Sequence, residues 1–225
     1  MWFRNIIFDL DGTLIDSARL TGAIIDRMLQ ERGATRYADP ALIRKMDAVG
    51  GEAMIAAVMG GHSSDPSAEI EEFRRIHRMI DVPADLAFPG VHEALEVLTN
   101  RGVGLAICSN KPQFLCEKIL TELGLVQHFA AIIGSAPGRN RKPDPEAAHL
   151  ALAGLGGTPH DTLYCGDSQV DLDTARAVGM AVALVEWGYG TREALSKEPD
   201  TPVLRSISQL LDGIGGHSRL SLVVR

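Results

Sequence analysis

Basic charge is scarce in this chain of 225 residues: 22 lysines and arginines face 29 aspartates and glutamates, for a net charge of −7. That balance argues against a general nucleic-acid binder, which presents a basic field to phosphates. An anionic substrate would have to be held by a local cluster and a metal. Cysteine is also sparse. Cys108, Cys116 and Cys165 show no C-x-x-C spacing, and an odd count excludes a full disulfide framework. A reducing compartment fits, with Cys108 and Cys165 in apolar runs as buried small hydrophobes. No uninterrupted apolar span is long enough to cross a bilayer. The N-terminal apolar run reaches Asp9 too soon to read as a signal peptide, so a cytoplasmic protein without a membrane partner is expected. Internal repeats and low-complexity tracts are missing, and neither Gly188-Tyr189-Gly190 nor the glycines from Gly213 to Gly216 complete a dinucleotide fingerprint.

What remains is an ordinary globular composition, 45% hydrophobic and 23% charged. The length suits one domain carrying a sizeable insertion. From Val103 onward short apolar runs alternate with helical patterns, the signature of β-α units feeding a parallel sheet. Strands are expected over Phe3–Phe8, Gly104–Cys108, Ala130–Ile133, Thr162–Cys165 and Ala181–Val185. Helices are expected over Val91–Asn100, Gln113–Leu123, Pro145–Leu155 and Val170–Val178, the third capped by Asp144 with Pro145 in its first turn. The interval from about Ser17 to Phe88 is different. It shows helical periodicity over Ala18–Arg32, Ala41–Val49, Ala53–Met59 and Ala68–Ile80, with no convincing strand and with Asp16 and Ser17 as an N-cap. The fold expected is therefore α/β: a Rossmann-like parallel-sheet core domain over residues 1–16 and 89–225, with an inserted small α-helical domain over 17–88. The tail Gly213–Arg225 reads either as a frayed terminus or as a late edge strand.

Chemistry is concentrated where the first strand ends, in Phe8-Asp9-Leu10-Asp11-Gly12-Thr13. In extended backbone, residues two apart project to the same side, so Asp9 and Asp11 can converge. Gly12 permits a sharp turn, and Thr13 offers a hydroxyl to fix a carboxylate or the turn. A calcium loop is a poor alternative: it would place glycine at Leu14 and glutamate at Leu20, after a helix rather than a strand. In an open parallel sheet ligands collect at the carboxyl ends of strands. The residues following the other strands are Ser109-Asn110-Lys111, Lys142-Pro143 and Gly166-Asp167-Ser168-Gln169-Val170-Asp171. Asp9, Asp11 and Asp167 are hard oxygen donors of the kind magnesium prefers. Ser109 and Lys142 offer a hydroxyl and a cation to a phosphoryl group. Asp171 reads as a metal ligand, a partner for Lys142, or an acid favoured near a helix N-terminus. These four aspartates outnumber Lys142, and a doubly charged ion would reduce the excess that repels a phosphate dianion.

FDLDGTLIDS, ICSNKP, RKPDP and GDSQVDLDTARAVGM correspond in order and spacing to the four motifs of the haloacid dehalogenase superfamily. The chain resembles the phosphoglycolate phosphatase group of that superfamily, as does VEWGYGTREAL after the fourth motif. The resemblance implies that the helical insertion is a cap, and that phosphoryl transfer is magnesium-dependent and passes through an aspartyl-phosphate. Asp9 would be the nucleophile and Asp11 the general acid and then base, its backbone carbonyl rather than its side chain meeting the metal. Asp167 would be the second carboxylate ligand, Ser109 and Lys142 would hold the phosphoryl group, and Asp171 would support Lys142 or metal-bound water. Gly12, Asn110 and Lys111 are expected to line the substrate, with Thr13 in support.

The acid at Asp11 fits phosphate esters rather than dehalogenation. Gly166-Asp167-Ser168 departs from the Glu-Asp-Ser of the mutase branch. The substrate expected is a small phosphorylated metabolite, phosphoglycolate first. Inorganic pyrophosphate, sugar phosphates and nucleotides are rivals on the same motifs, and a catalytically silent phosphate-binding regulatory protein is the alternative of another class. Within the insertion, Arg44, Lys45, Gly50 and Gly51 are substrate candidates, while Arg74, Arg75, His77 and Arg78 read equally as a wet helix face. Hinges are expected near Ser17 and Pro83–Pro89. A monomer or homodimer is the expected assembly.

Overall fold

The computed structural model describes residues 2–47, 51–212 and 220–221. In chain order its elements are β1 (Trp2–Phe3), β2 (Asn5–Phe8), α1 (Ser17–Glu31), α2 (Pro40–Asp47), α3 (Gly51–Met59), α4 (Pro66–Met79), α5 (Val91–Asn100), β3 (Gly104–Pro112), α6 (Gln113–Glu122) and β4 (Ala131–Ser135). They continue with α7 (Glu146–Leu155), β5 (Thr162–Gly166), α8 (Gln169–Val178), β6 (Ala181–Val185), α9 (Thr191–Lys197), β7 (Val203–Leu204), α10 (Gln209–Asp212) and β8 (Leu220–Ser221). None of the helices is long and apolar enough to cross a membrane, among the described residues.

The chain divides into two compact units, Met1–Ile15 with Ala87–Arg225, and Asp16–Leu86. The first is built on a six-stranded sheet ordered β4-β3-β2-β5-β6-β7, every neighbouring pair parallel. The chain runs outward from β2 in one direction through β3 and β4, then restarts on the other side at β5. That reversal makes the carboxyl end of β2 the switch point, where helices leave in opposite directions and a crevice opens. All four residues of β2 are buried, as a strand covered on both faces requires. The β-α units close in the usual way: α5 buries Val91, Ala94, Leu95 and Leu98, and α6 buries Leu115, Cys116, Ile119 and Leu120, each an apolar stripe at helical spacing.

The expected Phe3–Phe8 strand is interrupted at Arg4. Phe3 instead joins Trp2 in β1, which pairs antiparallel with β8 in a separate two-stranded sheet. Leu220–Ser221 of the tail is thus a strand, though not an edge of the parallel sheet; the rest of that tail lies outside the described residues. The second strand extends to Pro112 rather than stopping at Cys108, with a register irregularity against β4 between those residues. Among the described residues, α9, β7 and α10 went unforeseen, all too short to show periodicity. The helix expected to be capped by Asp144, α7, begins at Glu146, with Pro145 rather than Asp144 at the N-cap position and no side-chain cap there. Asp144 accepts from the Glu146 N–H at 3.0 Å, from one residue before that position.

The second unit contains α1 to α4. Leu20, Ile24, Ile25, Met28 and Leu29 form the buried stripe of α1, and Ile70, Phe73 and Ile76 that of α4. Asp65 caps α4 by accepting from the Ala68 N–H, with Pro66 in the first turn. Asp16 makes no side-chain cap on α1, contrary to the expectation; its carboxylate instead faces Arg44 at 3.7 Å. Gly50 and the end of the helix expected to reach Val49 lie outside the described residues. Arg75 and Arg78 are exposed, Arg74 pairs with Glu71, and His77 is buried with its ring edge-on to Phe73.

Candidate active site

Asp9 follows the last residue of β2, and its N–H still bonds the Cys165 carbonyl of β5 at 2.9 Å. The sheet therefore fixes the Asp9 backbone. The chain then turns back on itself through bonds from the Leu14 and Ile15 N–H groups to Leu10 O. Gly12 allows this turn with φ +77°. A Cβ at Gly12 would come within 2.7 Å of Asp167 Oδ2, so the turn also depends on the missing side chain to approach β5's end.

Lys142 is the hub. Its ammonium lies 2.8 Å from Asp9 Oδ1, 2.7 Å from Asp171 Oδ1, 3.0 Å from Cys108 O and 3.1 Å from the Tyr164 hydroxyl. The lysine is buried, and its loop is held by Asn110, whose amide accepts from Lys142 N–H at 2.8 Å and donates to Lys142 O at 3.1 Å. Asn110, expected beside substrate, thus has both amide atoms engaged in positioning Lys142. On the other side Asp171 combines two of its foreseen roles. Oδ1 meets Lys142, while Oδ2 accepts from the N–H groups of Asp167 and Ser168 and from the Ser168 hydroxyl at 2.6 Å, closing a capping box on α8.

Asp167 is also buried, and Gly190 N–H donates to its Oδ2 at 3.1 Å. Carboxylate oxygens of Asp9, Asp167 and Asp171 all lie within 4.8 Å of one another. The Asp11 side chain stands outside that trio, paired with Lys111 at 2.9 Å. Ser109 is buried and accepts from the Lys111 N–H at 3.3 Å. Thr13 lies wholly buried; its carbonyl accepts from Trp187 Nε1, and its hydroxyl oxygen has no hydrogen-bond partner among the described residues.

Electrostatics separate the three clustered acids. Burial, Asp171 and Asp11 push Asp9 up to about 6 despite Lys142. Burial first, then the charges of Asp171 and Asp9, raises Asp167 well above the carboxylate range. Burial also opposes the charge of Asp171, but Lys142 and the Ser168 and Asp167 donors outweigh it and hold that carboxyl below its ordinary value. Lys142 is held up in turn by Asp171 and Asp9 against the burial that would lower it. Asp171 is thus already neutralised, whereas Asp9 and Asp167 are two buried oxygen donors that repel one another. A divalent cation between them supplies the opposite charge they need, so the donor set fits a hard metal ion. Counting Lys111 with Lys142, four aspartates face two lysines, a formal balance that a doubly charged ion neutralises.

Sequence reasoning missed Tyr164, Gly190 and Thr191. Tyr164 sits in an apolar run whose only signal is the hydroxyl itself. Thr191 bonds Val185 O at 2.6 Å and Asp167 O at 3.1 Å, tying the loop after β6 to the loop after β5. Its signal was the Gly-Tyr-Gly-Thr sequence, read from the residues as an incomplete fingerprint and, within VEWGYGTREAL, as part of the family resemblance, with no role given to Thr191.

Comparison with known proteins agrees with this geometry. Residues 6–185 match the family model of haloacid dehalogenase-like hydrolases. A phosphoglycolate phosphatase of Mesorhizobium japonicum is 35% identical over 207 residues, covering 88% of this chain and 89% of that protein. One from Cereibacter sphaeroides is 36% identical over 197 residues, covering 82% and 86%. Among solved structures, a predicted phosphoglycolate phosphatase from Haemophilus somnus superposes with a TM-score of 0.78 at 26% identity, over 93% of this chain and 97% of that one. With the match spanning most of both sheet halves and all four strand-end segments, the chain belongs to the haloacid dehalogenase-like hydrolase family and resembles its phosphoglycolate phosphatase members.

Proposed function

We propose that this protein is a magnesium-dependent phosphatase that hydrolyses a small phosphomonoester, phosphoglycolate first, through an aspartyl-phosphate on Asp9. The observation that carries the reading is the Lys142 ammonium bridging Asp9 at 2.8 Å and Asp171 at 2.7 Å at the sheet's switch point, with Asp167 in the same cluster. The phosphoglycolate phosphatases among its relatives support the substrate.

Asp9 and Asp167 would hold the metal with their carboxylates, and Asp11 with its backbone carbonyl. Bound there, the ion would draw charge from the phosphoryl oxygens and offset the repulsion between substrate and acids. Lys142 and the Ser109 hydroxyl bind the other phosphoryl oxygens. An Asp9 oxygen attacks phosphorus while the ester oxygen departs with a proton from Asp11. Water then attacks the phosphorus of the aspartyl-phosphate, gives its proton to Asp11, and releases inorganic phosphate with Asp9 restored. Lys111, bound to Asp11 Oδ1, fixes the rotation of that carboxyl so that the other oxygen handles the proton. The helical unit Asp16–Leu86 is assigned the part of a substrate-selecting cap, supported by its insertion directly behind the Asp9–Asp11 segment.

The test is phosphate release from phosphoglycolate, pyrophosphate, sugar phosphates and nucleotides, with magnesium and with chelator. Turnover should be lost in chelator and favour phosphoglycolate; Asp9→Asn should lower kcat by about a thousandfold or more with the fold intact. Undiminished turnover in Asp9→Asn refutes the nucleophile, and a strong preference for pyrophosphate overturns the substrate.

A further inference from the structure

Tyr164 takes no part in the chemistry just described, yet it carries a hydroxyl into a place where an apolar ring would suffice. It lies in β5, opposite Ile7 of β2 and Val182 of β6. Its ring is wholly buried among Ile7, Ala106, Ala148 and Ala175. Phenylalanine would fill the same space without burying a polar group, which is unfavourable unless that group is bonded. The hydroxyl is bonded to the site: 3.1 Å from Cys108 O, 3.1 Å from Lys142 Nζ and 3.2 Å from Asp171 Oδ1. Tyr164 thus touches the lysine and two of the three other groups that hold it.

Counting protons shows what this contact does. An ammonium has three N–H bonds to give. Around Lys142 Nζ lie Asp171 Oδ1, Asp9 Oδ1, Cys108 O and the Tyr164 oxygen. Carboxylates and carbonyls only accept, whereas the phenol can also donate. Burial, and after it the charges of its neighbours, keeps that phenol protonated far above neutral pH. We infer that Tyr164 is a positioning residue for Lys142: its oxygen shares the third N–H with the Cys108 carbonyl, while its own proton goes to that carbonyl or to Asp171 Oδ1, and so the ammonium stays aimed at Asp9 and Asp171. Without the hydroxyl, the third N–H is left to the Cys108 carbonyl alone, and the ammonium is drawn toward it. The inference rests on the assignment of Lys142 to the phosphoryl group.

Tyr164→Phe keeps the ring and removes only the hydroxyl, and Tyr164→Leu also removes the ring as a packing control. With magnesium and phosphoglycolate, Tyr164→Phe should lower kcat about tenfold while KM stays within about twofold, because the misaimed charge matters most as the phosphoryl group transfers. Calorimetric binding of orthovanadate in magnesium, in the wild type, Tyr164→Phe, Lys142→Met and the double variant, reads the coupling without turnover. Tyr164→Phe should weaken it, and add nothing once Lys142 is gone. Wild-type kcat in Tyr164→Phe, with loss only in Tyr164→Leu, reduces the residue to packing and overturns the inference alone. So does equal weakening by Tyr164→Phe with and without Lys142. A wild type that binds orthovanadate but hydrolyses no phosphate ester sinks the function proposed above and leaves the binding cycle to decide on Tyr164; one that does neither overturns both.

Discussion

Asp9 carries the conflict between stability and chemistry in a single side chain. The residue is 7% exposed, and its carboxyl is pushed from 3.8 to about 6, chiefly by burial and by the charges of Asp171 and Asp11. Between those two pH values, without metal, the folded protein binds a proton that the unfolded chain has released, so stability falls as pH rises through the window. Asp171, held below its ordinary value, works in the opposite sense and only on the acid side of about 3.8. In chelator, Asp9→Asn should therefore gain on the wild type from about pH 4 to about pH 6, by roughly 3 kcal/mol, since each tenfold change in proton affinity is worth about 1.4 kcal/mol. Urea midpoints of both proteins across that range measure it; parallel curves would mean that Asp9 titrates normally. The Asp9 and Asp11 pair was legible as acids at a strand end, but strand alternation does not place it: β2 ends at Phe8, the chain turns, and the Asp11 side chain goes to Lys111. Tyr164 was not, because its partners Cys108, Lys142 and Asp171 are contributed by three other segments.

At the scale of elements, the site depends on how α8 begins. Ser168 and Asp171 close a capping box, and the same Asp171 holds Lys142, so the helix start and the charge network share one carboxylate. Ser168→Ala removes the 2.6 Å hydroxyl bond to Asp171 Oδ2. The expected outcome is a loss of about 1 kcal/mol in urea unfolding, as for other N-caps, together with a several-fold fall in kcat as Asp171 loosens. A fall in stability with unchanged kcat would uncouple the cap from Lys142. The sequence Asp-Ser-Gln-Val-Asp announces such a cap, and the helices α5 to α8 were readable from periodicity to within a residue or so at each end. The irregularity between Cys108 and Pro112 was not readable: it arises from how β3 meets β4 and the Gln113 side chain, whose oxygen accepts from Gly134 N–H at 2.7 Å. Likewise Asp16 looked like a helix cap by residue type, but Arg44, from another helix, offered it a charge.

For the molecule as a whole, a ligand held only by the folded state stabilises the entire fold by mass action. Asp9 and Asp167 follow strands separated by most of the chain, β2 and β5, and converge only when those two pair in the folded sheet. Magnesium at about a hundred times its dissociation constant should therefore add about 2.7 kcal/mol to global stability. A thermal shift titration should show that gain in the wild type and lose most of it in Asp167→Asn; equal shifts in both would place the ion elsewhere. The sequence by itself determined the class of fold, the order of the β-α units, the helical character of the insertion and the residue types at the strand ends, because periodicity and strand-end position are local properties of the chain. Only the tertiary structure decided how those residues divide the work: Asp9, Asp171 and Asn110 on Lys142, Lys111 on Asp11, Tyr164 beside the lysine, and Asp9 with Asp167 as the buried acids whose carboxyls are raised. Those assignments depend on distances of a few ångströms between segments far apart in the chain, and burial there sets how strongly each charge is felt.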